Sequence, residues 1–533
     1  MLYKKIFLIT SGAYSNDEIT SDFGLLPTSF LPVGHKRLIE LQLELIANFN
    51  GRKFITLPDN FDLSPRDKNL IELNKVKIHW TNPNLSLSQS ILSFLNAIDS
   101  NTLSRFCMLH GDTLFEQIED LNDIIYCGET DLFYKWGRVD DFNFKNNCRK
   151  EKNSVISGYF TFGDIDLLKK ELSKSNSFEL ALKGYNAEKP LRIINNQDWL
   201  DFGHSNLYYK SKRYLNVTRN FNSVIVENNH IRKKSTNNYK IISEYKWFKQ
   251  IPENLKVYLP AVWDLKINDN SSSYMIEFIG APTLQEKFVF GNLPEYSYFK
   301  IIDSVFDFIE KIKNYTYTNI AAKDVKFLLN ELYINKTRDR VNLFIEQTNY
   351  NPEKAIIINE QVYTNLNFFL EEVLSQLNNR ISKISDDDKL TIMHGDLCFS
   401  NILFDSRSNS LKLIDPRGGL NNNFNQENKI LGDYQYDIAK LGHSLIGNYD
   451  FIVSGYYNLN HDLRNYKFYL DIETKGFKAL EKYFYDKISK MGVSHSFIKA
   501  SITNLFLSML PLHDEDKNRQ LALLLNAYKF YYN

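Results

Sequence analysis

The 533-residue sequence predicts an α/β protein of two domains. Its length exceeds the size at which a single hydrophobic core keeps growing. Short apolar runs alternate with helix-spaced leucines through the amino-terminal part, the pattern of a sheet covered by helices. After Tyr209 a polar link, Lys210 to Asn222, leads into a different run of strands, and the expected domains are residues 1–215 and 216–533.

In order, Ile6 to Ile9 reads as a buried strand that enters a loop at Thr10-Ser11-Gly12. Lys36 to Phe49 carries Leu38, Leu41 and Leu45 at helical spacing, and Phe54 to Leu57 forms the next strand before Pro58 and Asn60. Phe106 to Leu109 is a strand running into His110-Gly111-Asp112. Polar residues at successive strand ends place a site at the carboxyl edge of the sheet. The basic, Asn-rich stretch Lys145 to Asn153 reads as a loop, and order returns at Val155 to Phe162. Beyond the link, Ser223 to Val226 and Ile231 to Lys234 form a hairpin around Glu-Asn-Asn. Helical spacing marks Tyr298 to Tyr315 and Leu366 to Leu377. A charged loop, Ser382 to Lys389, then delivers the chain to Thr391-Ile392-Met393, and the tail reads as mostly helical around Ile498, Leu505 and Leu510.

Lys plus Arg and Asp plus Glu each total 64, so the net charge is zero and nothing in the balance calls for nucleic acid. Cys107, Cys127, Cys148 and Cys398 share no metal-ligand spacing and are too few for a disulfide framework, so they read as reduced thiols. The segment Met1 to Thr10 is too short for a secretory or membrane segment. The expected location is the cytoplasm, with no membrane partner; a homo-oligomer is compatible with the sequence.

The densest chemistry lies in His394-Gly395-Asp396-Leu397-Cys398-Phe399-Ser400-Asn401, followed by Leu413-Ile414-Asp415-Pro416-Arg417. Phosphoryl transfer needs a group to orient the attacking hydroxyl and hard oxygen ligands for magnesium beside the phosphates. Asp396 serves the first need, and Asn401 and Asp415 the second. This spacing resembles the aminoglycoside phosphotransferase and choline kinase group, and the resemblance continues through Gly432-Asp433-Tyr434-Gln435-Tyr436-Asp437-Ile438-Ala439-Lys440-Leu441. It implies an α+β protein-kinase-like domain in which His394 braces the loop, Asp396 is catalytic, Asn401 and Asp415 hold Mg2+, and Asp437 is structural. It also implies a lysine for the ATP phosphates, Lys233 or Lys234, paired with Glu244. Met275-Ile276-Glu277-Phe278-Ile279-Gly280 resembles the hinge that receives adenine, with Glu277 and Ile279 supplying backbone contacts. No glycine-rich phosphate loop precedes Lys233; Asn222 and Asn228-Asn229 stand at the turns. Cys398 reads as a packing thiol.

The run Gly24 to Ile39, with Pro27, Pro32 and Gly34, resembles the start of nucleotidyltransferases that activate sugars or phosphoalcohols. Leu109-His110-Gly111-Asp112-Thr113-Leu114-Phe115 and Trp199-Leu200-Asp201-Phe202-Gly203-His204 resemble that family's two metal-binding motifs, and Ser157-Gly158-Tyr159-Phe160 its substrate strand. The resemblance implies a Rossmann-like, GT-A-like domain in which Asp112 and Asp201 are catalytic and hold one Mg2+, with Gly12 and Lys36 beside the nucleotide. The sequence departs from the pattern where a glycine-rich turn with arginine is expected: Ser11 to Glu18 has one glycine and no basic residue, and Thr28 stands where a lysine is usual. Lys36, Arg37, Lys135, Arg138 and Lys189 are the remaining basic candidates.

Together the two resemblances imply a bifunctional enzyme. ATP phosphorylates a small hydroxyl compound such as a sugar, and a second nucleoside triphosphate, CTP or UTP, converts the phosphate to an activated precursor for surface polysaccharide or envelope synthesis. Three alternatives stand beside it: a kinase whose amino-terminal domain only binds nucleotide or sugar, a choline or ethanolamine kinase joined to a cytidylyltransferase, and, last, a noncatalytic assembly scaffold.

Overall fold

The computed structural model describes residues 5–98, 103–130, 132, 134, 136–142, 154–219, 224–227, 230–317, 320–417 and 430–533. The predicted loop Lys145 to Asn153, the turns at Asn222 and Asn228-Asn229, Lys135 and Cys148 lie outside them. Two compact units are present: Met1–Leu215 with Phe290–Asn292, and Asn216–Val289 with Leu293–Asn533.

The first unit is built on a seven-stranded sheet in the order Arg192–Asn195, Ile124–Glu129, Ser154–Phe162, Arg105–His110, Lys5–Thr10, Arg52–Pro58, Val76–Thr81. All neighbours are parallel except Ser154–Phe162, which runs antiparallel to both of its own. Side chains alternate across a strand, so Ile6 and Leu8 enter one core with Ile91, Phe94 and Leu168 while Phe7 and Ile9 enter the other with Ile39, Leu43 and Ile71. Both faces are covered, which is why the central strand is apolar at every inner position. The chain leaves Lys5–Thr10 toward Arg52–Pro58 and leaves the adjacent Arg105–His110 toward the other edge of the sheet, so the connections diverge between these two strands. A crevice at that point is where open α/β sheets bind ligands.

The polar link expected from Lys210 onward is instead part of a helix, Ser205–Arg219. Tyr208, Ser211, Lys212 and Leu215 are buried at helical spacing, a period the abundant lysines and tyrosines mask in the sequence.

The second unit opens with a four-stranded antiparallel sheet, in the order Val224–Glu227, His230–Ser235, Ser272–Glu277, Val262–Ile267, against which the helix Asn238–Gln250 packs. A helical region follows, centred on His495–Met509, whose side chains are almost all buried and which packs against Tyr434–Leu445, Leu366–Ile381 and Lys517–Tyr532. A helix buried on several faces, with small and polar side chains such as Ser501 and Thr503 among its apolar ones, suits such an interior position. The expectation of a mostly helical tail misses an antiparallel pair, Tyr457–Asp462 with Lys467–Ile472, to which Ile356–Ile358 adds in parallel. Phe468 and Leu470 alternate inward there, a strand period between charged residues. Among the described residues no helix is long and apolar enough to cross a membrane. Cys107, Cys127 and Cys398 are buried.

Candidate functional sites

In the second unit the strand Leu390–Ile392 delivers the chain to His394. Gly395 takes a φ of +80°, the left-handed region that favours glycine. The buried Asp437 carboxylate accepts from the backbone N–H of His394 at 2.7 Å and of Gly395 at 2.8 Å, pinning the loop from the helix Tyr434–Leu445. Trp247 braces it from the opposite side: its indole N–H donates to the Met393 carbonyl at 2.8 Å, and its ring meets His394 edge-on at 5.5 Å. Burial pushes His394 down to about 4, so it stays neutral and accepts from the Asp396 N–H through Nδ1.

Asp396 receives Lys440 Nζ at 3.0 Å and Arg417 Nε at 3.2 Å. Burial works against its charge, yet Lys440 and Arg417 hold the carboxyl well below the usual carboxylate range. Asn401 donates its amide N–H to the Asp396 carbonyl at 2.9 Å, which leaves the amide oxygen for another partner. Asp415, at a φ of +57°, accepts from Lys233 Nζ at 2.7 Å. The same ammonium reaches Glu244 at 2.5 Å, and Glu244 also accepts from the Tyr274 hydroxyl at 2.5 Å. Burial disfavours the Lys233 charge, but Asp415 and Glu244 raise it above the ordinary lysine range.

Lys233, Glu244, Asp396, Asn401 and Asp415 thus line one cavity of about 440 Å³. Lys234 is on the opposite face of the strand and exposed, so the pairing with Glu244 belongs to its neighbour. Glu277 and Ile279 are not among the lining residues; the Glu277 carboxylate is exposed and accepts from the Ala261 N–H at 3.0 Å. Burial raises the Cys398 thiol to about 12, the behaviour of a packing residue. Sequence reasoning assigned no role to Lys440 or Arg417. The signal for Lys440 was its i,i+3 spacing from Asp437, which puts both on the helix face turned to the loop.

In the first unit the strand Arg105–His110 ends at a tight passage. Gly111 N–H donates to the Thr10 carbonyl at 2.9 Å, and a Cβ at Gly111 would stand 2.6 Å from that oxygen. Gln42 secures the turn by donating to the carbonyls of Gly111 at 3.0 Å and Thr113 at 2.9 Å. Thr113–Leu114 pairs antiparallel with Leu200–Asp201, and this short ladder brings Asp112 and Asp201 together. Asp201 accepts from the N–H of Gly203 at 2.9 Å and of His204 at 3.1 Å. Burial and then the charge of Asp201 push Asp112 up to about 6. His204 Nδ1 lies 3.2 Å from Asp201; burial disfavours the imidazolium, but the Asp201 carboxylate holds it above the ordinary range. Tyr134 and Trp136 cover the ring at 4.1 and 5.0 Å.

A cavity of about 400 Å³ opens beside this pair, walled by Trp136, Trp199, Phe160 and Phe178. His110, held neutral at about 4 by burial, and Ser157 line it with their Nε2 and Oγ unpartnered. Gly12 and Lys36 do not belong to its lining. A Cβ at Gly12 would collide with the Thr81 side chain, which explains the glycine by packing. Lys36 pairs with Glu44 at 2.6 Å, Arg37 with Asp67 at 3.0 Å and Lys189 with Asp123 at 3.2 Å. These basic candidates are spent on carboxylates of the fold, and no Lys or Arg stands among the described lining residues.

Among the described residues no group of three or more His, Cys, Asp or Glu forms a ready-made metal cage. Each site instead offers a pair of oxygen donors, Asp112 with Asp201 and Asn401 with Asp415. Asp112, raised by burial and then by the charge of Asp201, forms with Asp201 a pair of carboxylates, a donor set suited to a hard cation.

No protein-family model matches this chain, and no curated protein matches it. Among solved structures, its amino-terminal region is similar to HddC from Yersinia pseudotuberculosis (19% identity, 40% of this chain, 100% of that one, TM-score 0.29). It is also similar to the inositol-1-phosphate CTP transferase of T. maritima (15% identity, 40% and 96%, TM-score 0.29). The carboxy-terminal region is similar to the aminoglycoside phosphotransferase APH(3'')-Id of Streptomyces rimosus (12% identity, 60% and 96%, TM-score 0.31).

Proposed function

We propose that this chain is a bifunctional transferase: an ATP-dependent kinase acting on a hydroxyl of a small molecule in the second unit, and a nucleotidyltransferase acting on the resulting phosphate in the first. The observation that carries the reading is the Lys233 ammonium held between Glu244 and Asp415 in the cavity that also contains Asp396 and Asn401. Lys233 neutralises phosphate oxygens of the nucleotide. Asp396 accepts the hydrogen bond of the incoming hydroxyl and orients its oxygen toward the γ-phosphorus; the oxygen–phosphorus bond forms, the bond to the β-phosphate oxygen breaks, and the hydroxyl proton passes to Asp396. Lys440 and Arg417 keep that carboxylate ionised, so it receives the proton only as the new bond forms. Asn401 and Asp415 would hold magnesium, which when bound supplies charge neutralisation at the phosphates.

In the first unit Asp112 and Asp201 would hold magnesium near the α-phosphate of CTP or UTP. The aromatic walls and the Ser157 and His110 groups receive the acceptor, for which a sugar phosphate bound for surface polysaccharide is the favoured candidate. The absence of Lys and Arg from the described lining favours a second reading, a kinase with a binding domain at its amino terminus, because departing pyrophosphate needs positive charge.

The deciding experiment follows ADP and pyrophosphate separately while the purified chain receives magnesium, ATP, CTP, UTP and a panel of sugars and amino alcohols. ADP with acceptor-dependent pyrophosphate supports the two-step enzyme. ADP without pyrophosphate under every condition selects the second reading, and neither product refutes both.

A further inference from the structure

Asp396 stands beside a concentration of positive charge. Lys440, only 7% exposed, and Arg417 touch the carboxylate directly. Two more cations come from the helix Lys336–Thr348: Lys336, whose ammonium meets the Tyr436 hydroxyl at 3.4 Å, and Arg340, which donates to the Ser508 carbonyl at 3.0 Å. Neither has a carboxylate partner among the described residues. A π-helical turn, Glu331–Asn335, immediately precedes Lys336, and such turns re-aim the side chains that follow.

The four groups feel one another. The Tyr436 hydroxyl favours the Lys336 charge, yet burial and the positive charges of Arg340, Lys440 and Arg417 hold Lys336 below the ordinary lysine range. Burial would raise Tyr436, but Lys336 and Lys440 draw its hydroxyl below the ordinary tyrosine range. Asp450, also buried, is pushed up to about 7 by burial. Of the four cations, Arg417 and Lys440 line the cavity beside Asp396, whereas Lys336 and Arg340 stand just outside its lining: Lys336 on Tyr436, one helical turn before Lys440, and Arg340 on the Ser508 carbonyl, next to the lining residue Met509. The lining also holds His443, 1% exposed, with both ring nitrogens unpartnered.

We propose that the acceptor phosphorylated at Asp396 is itself an anion, a hydroxyl compound whose phosphate or carboxylate reaches past Lys440 to Lys336 and Arg340. The proposal rests on the kinase reading of the same cavity and specifies its substrate class. Charge-assisted bonds from two or three cations would seat the anionic group, and His443 would bond a second hydroxyl. A cationic amino alcohol would meet repulsion there.

The test compares each anion with its own neutral parent, glucose 6-phosphate beside glucose and glycerate beside glycerol, with ethanolamine as the cationic arm. Binding to the full chain is titrated calorimetrically with magnesium and a non-hydrolysable ATP analogue, and ADP formation is measured with ATP. At least one anion is expected to bind about tenfold or more tightly than its parent, and which one separates phosphate from carboxylate recognition. In Lys336→Gln/Arg340→Gln the KM for that anion is expected to rise by about tenfold while the KM for ATP stays within about twofold, and Arg340→Lys is expected to recover part of the loss. Anions binding no better than their parents, preferred use of ethanolamine, or a double variant that leaves acceptor KM unchanged would each overturn the proposal. If the ATP analogue fails to bind, the kinase reading falls instead, and the same pairs titrated without nucleotide still decide the charge class.

Discussion

The two acidic centres of this chain are opposites. Asp396 is surrounded by cations and lies far down the carboxylate scale, whereas Asp112 faces another carboxylate and is pushed up to about 6. The first centre is already organised by the protein's own charges. The second stores repulsion that a bound cation would relieve. A site of the first kind has its ionic geometry before substrate arrives, and a site of the second is completed by what it binds.

The largest expected effect separates them. Asp396→Ala or Lys233→Ala should lower ADP formation by about a thousandfold or more while acceptor-dependent pyrophosphate release from a supplied sugar phosphate is retained. Asp112→Asn should do the reverse, and parallel loss of both products in either variant would break the separation.

Stability gives the next contrast. The folded state prefers protonated Asp112, so this group's contribution is fully favourable below the unfolded carboxylate pKa and is lost as pH rises through about 6. Ionising it at neutral pH costs about 2 to 3 kcal/mol, and Asp112→Asn should recover much of that in metal-free protein, seen as a higher Tm. Asp396 has the opposite sign: its stabilisation holds at neutral pH and fades in acid, so Asp396→Asn should lower Tm.

Magnesium should raise the Tm of the wild-type first unit near neutral pH and lose that effect as pH drops below about 6, where Asp112 takes up a proton. An unchanged increment at about pH 5 would show that the pair does not hold the ion. A smaller change tests the fit of the pair. A Cβ at Gly203 would collide with the Asp112 carboxylate, so Gly203→Ala should reduce pyrophosphate release about tenfold and spare ADP formation.

Much of the Asp396 centre was legible because Asp396, Asn401 and Asp415 sit on one loop and the strand pair after it, where spacing determines proximity. The choice between Lys233 and Lys234 was open because alternation says that one faces inward without saying which. Lys440 comes from one helix and Lys336 and Arg340 from another, far apart in sequence, and no local pattern encodes that meeting. The first unit was harder for the same reason. Asp112 and Asp201 announced themselves by motif, but Lys36 and Arg37 gave no sign that Glu44 and Asp67 would take their charge. The walls formed by Trp136, Trp199 and Phe178 come from three distant segments.

The reversed strand Ser154–Phe162 has a bearing on how the protein is made. It lies between Arg105–His110 and Ile124–Glu129, both of which leave the ribosome earlier. Until residue 162 is synthesised, those two strands have no partner across the gap, and each carries an unpaired edge of the kind that invites association with other chains. Ser157 and Phe160 belong to this strand, and Phe178, Trp199 and Asp201 follow it in the chain, so the amino-terminal cavity is assembled only after a segment has been threaded between two strands that already exist.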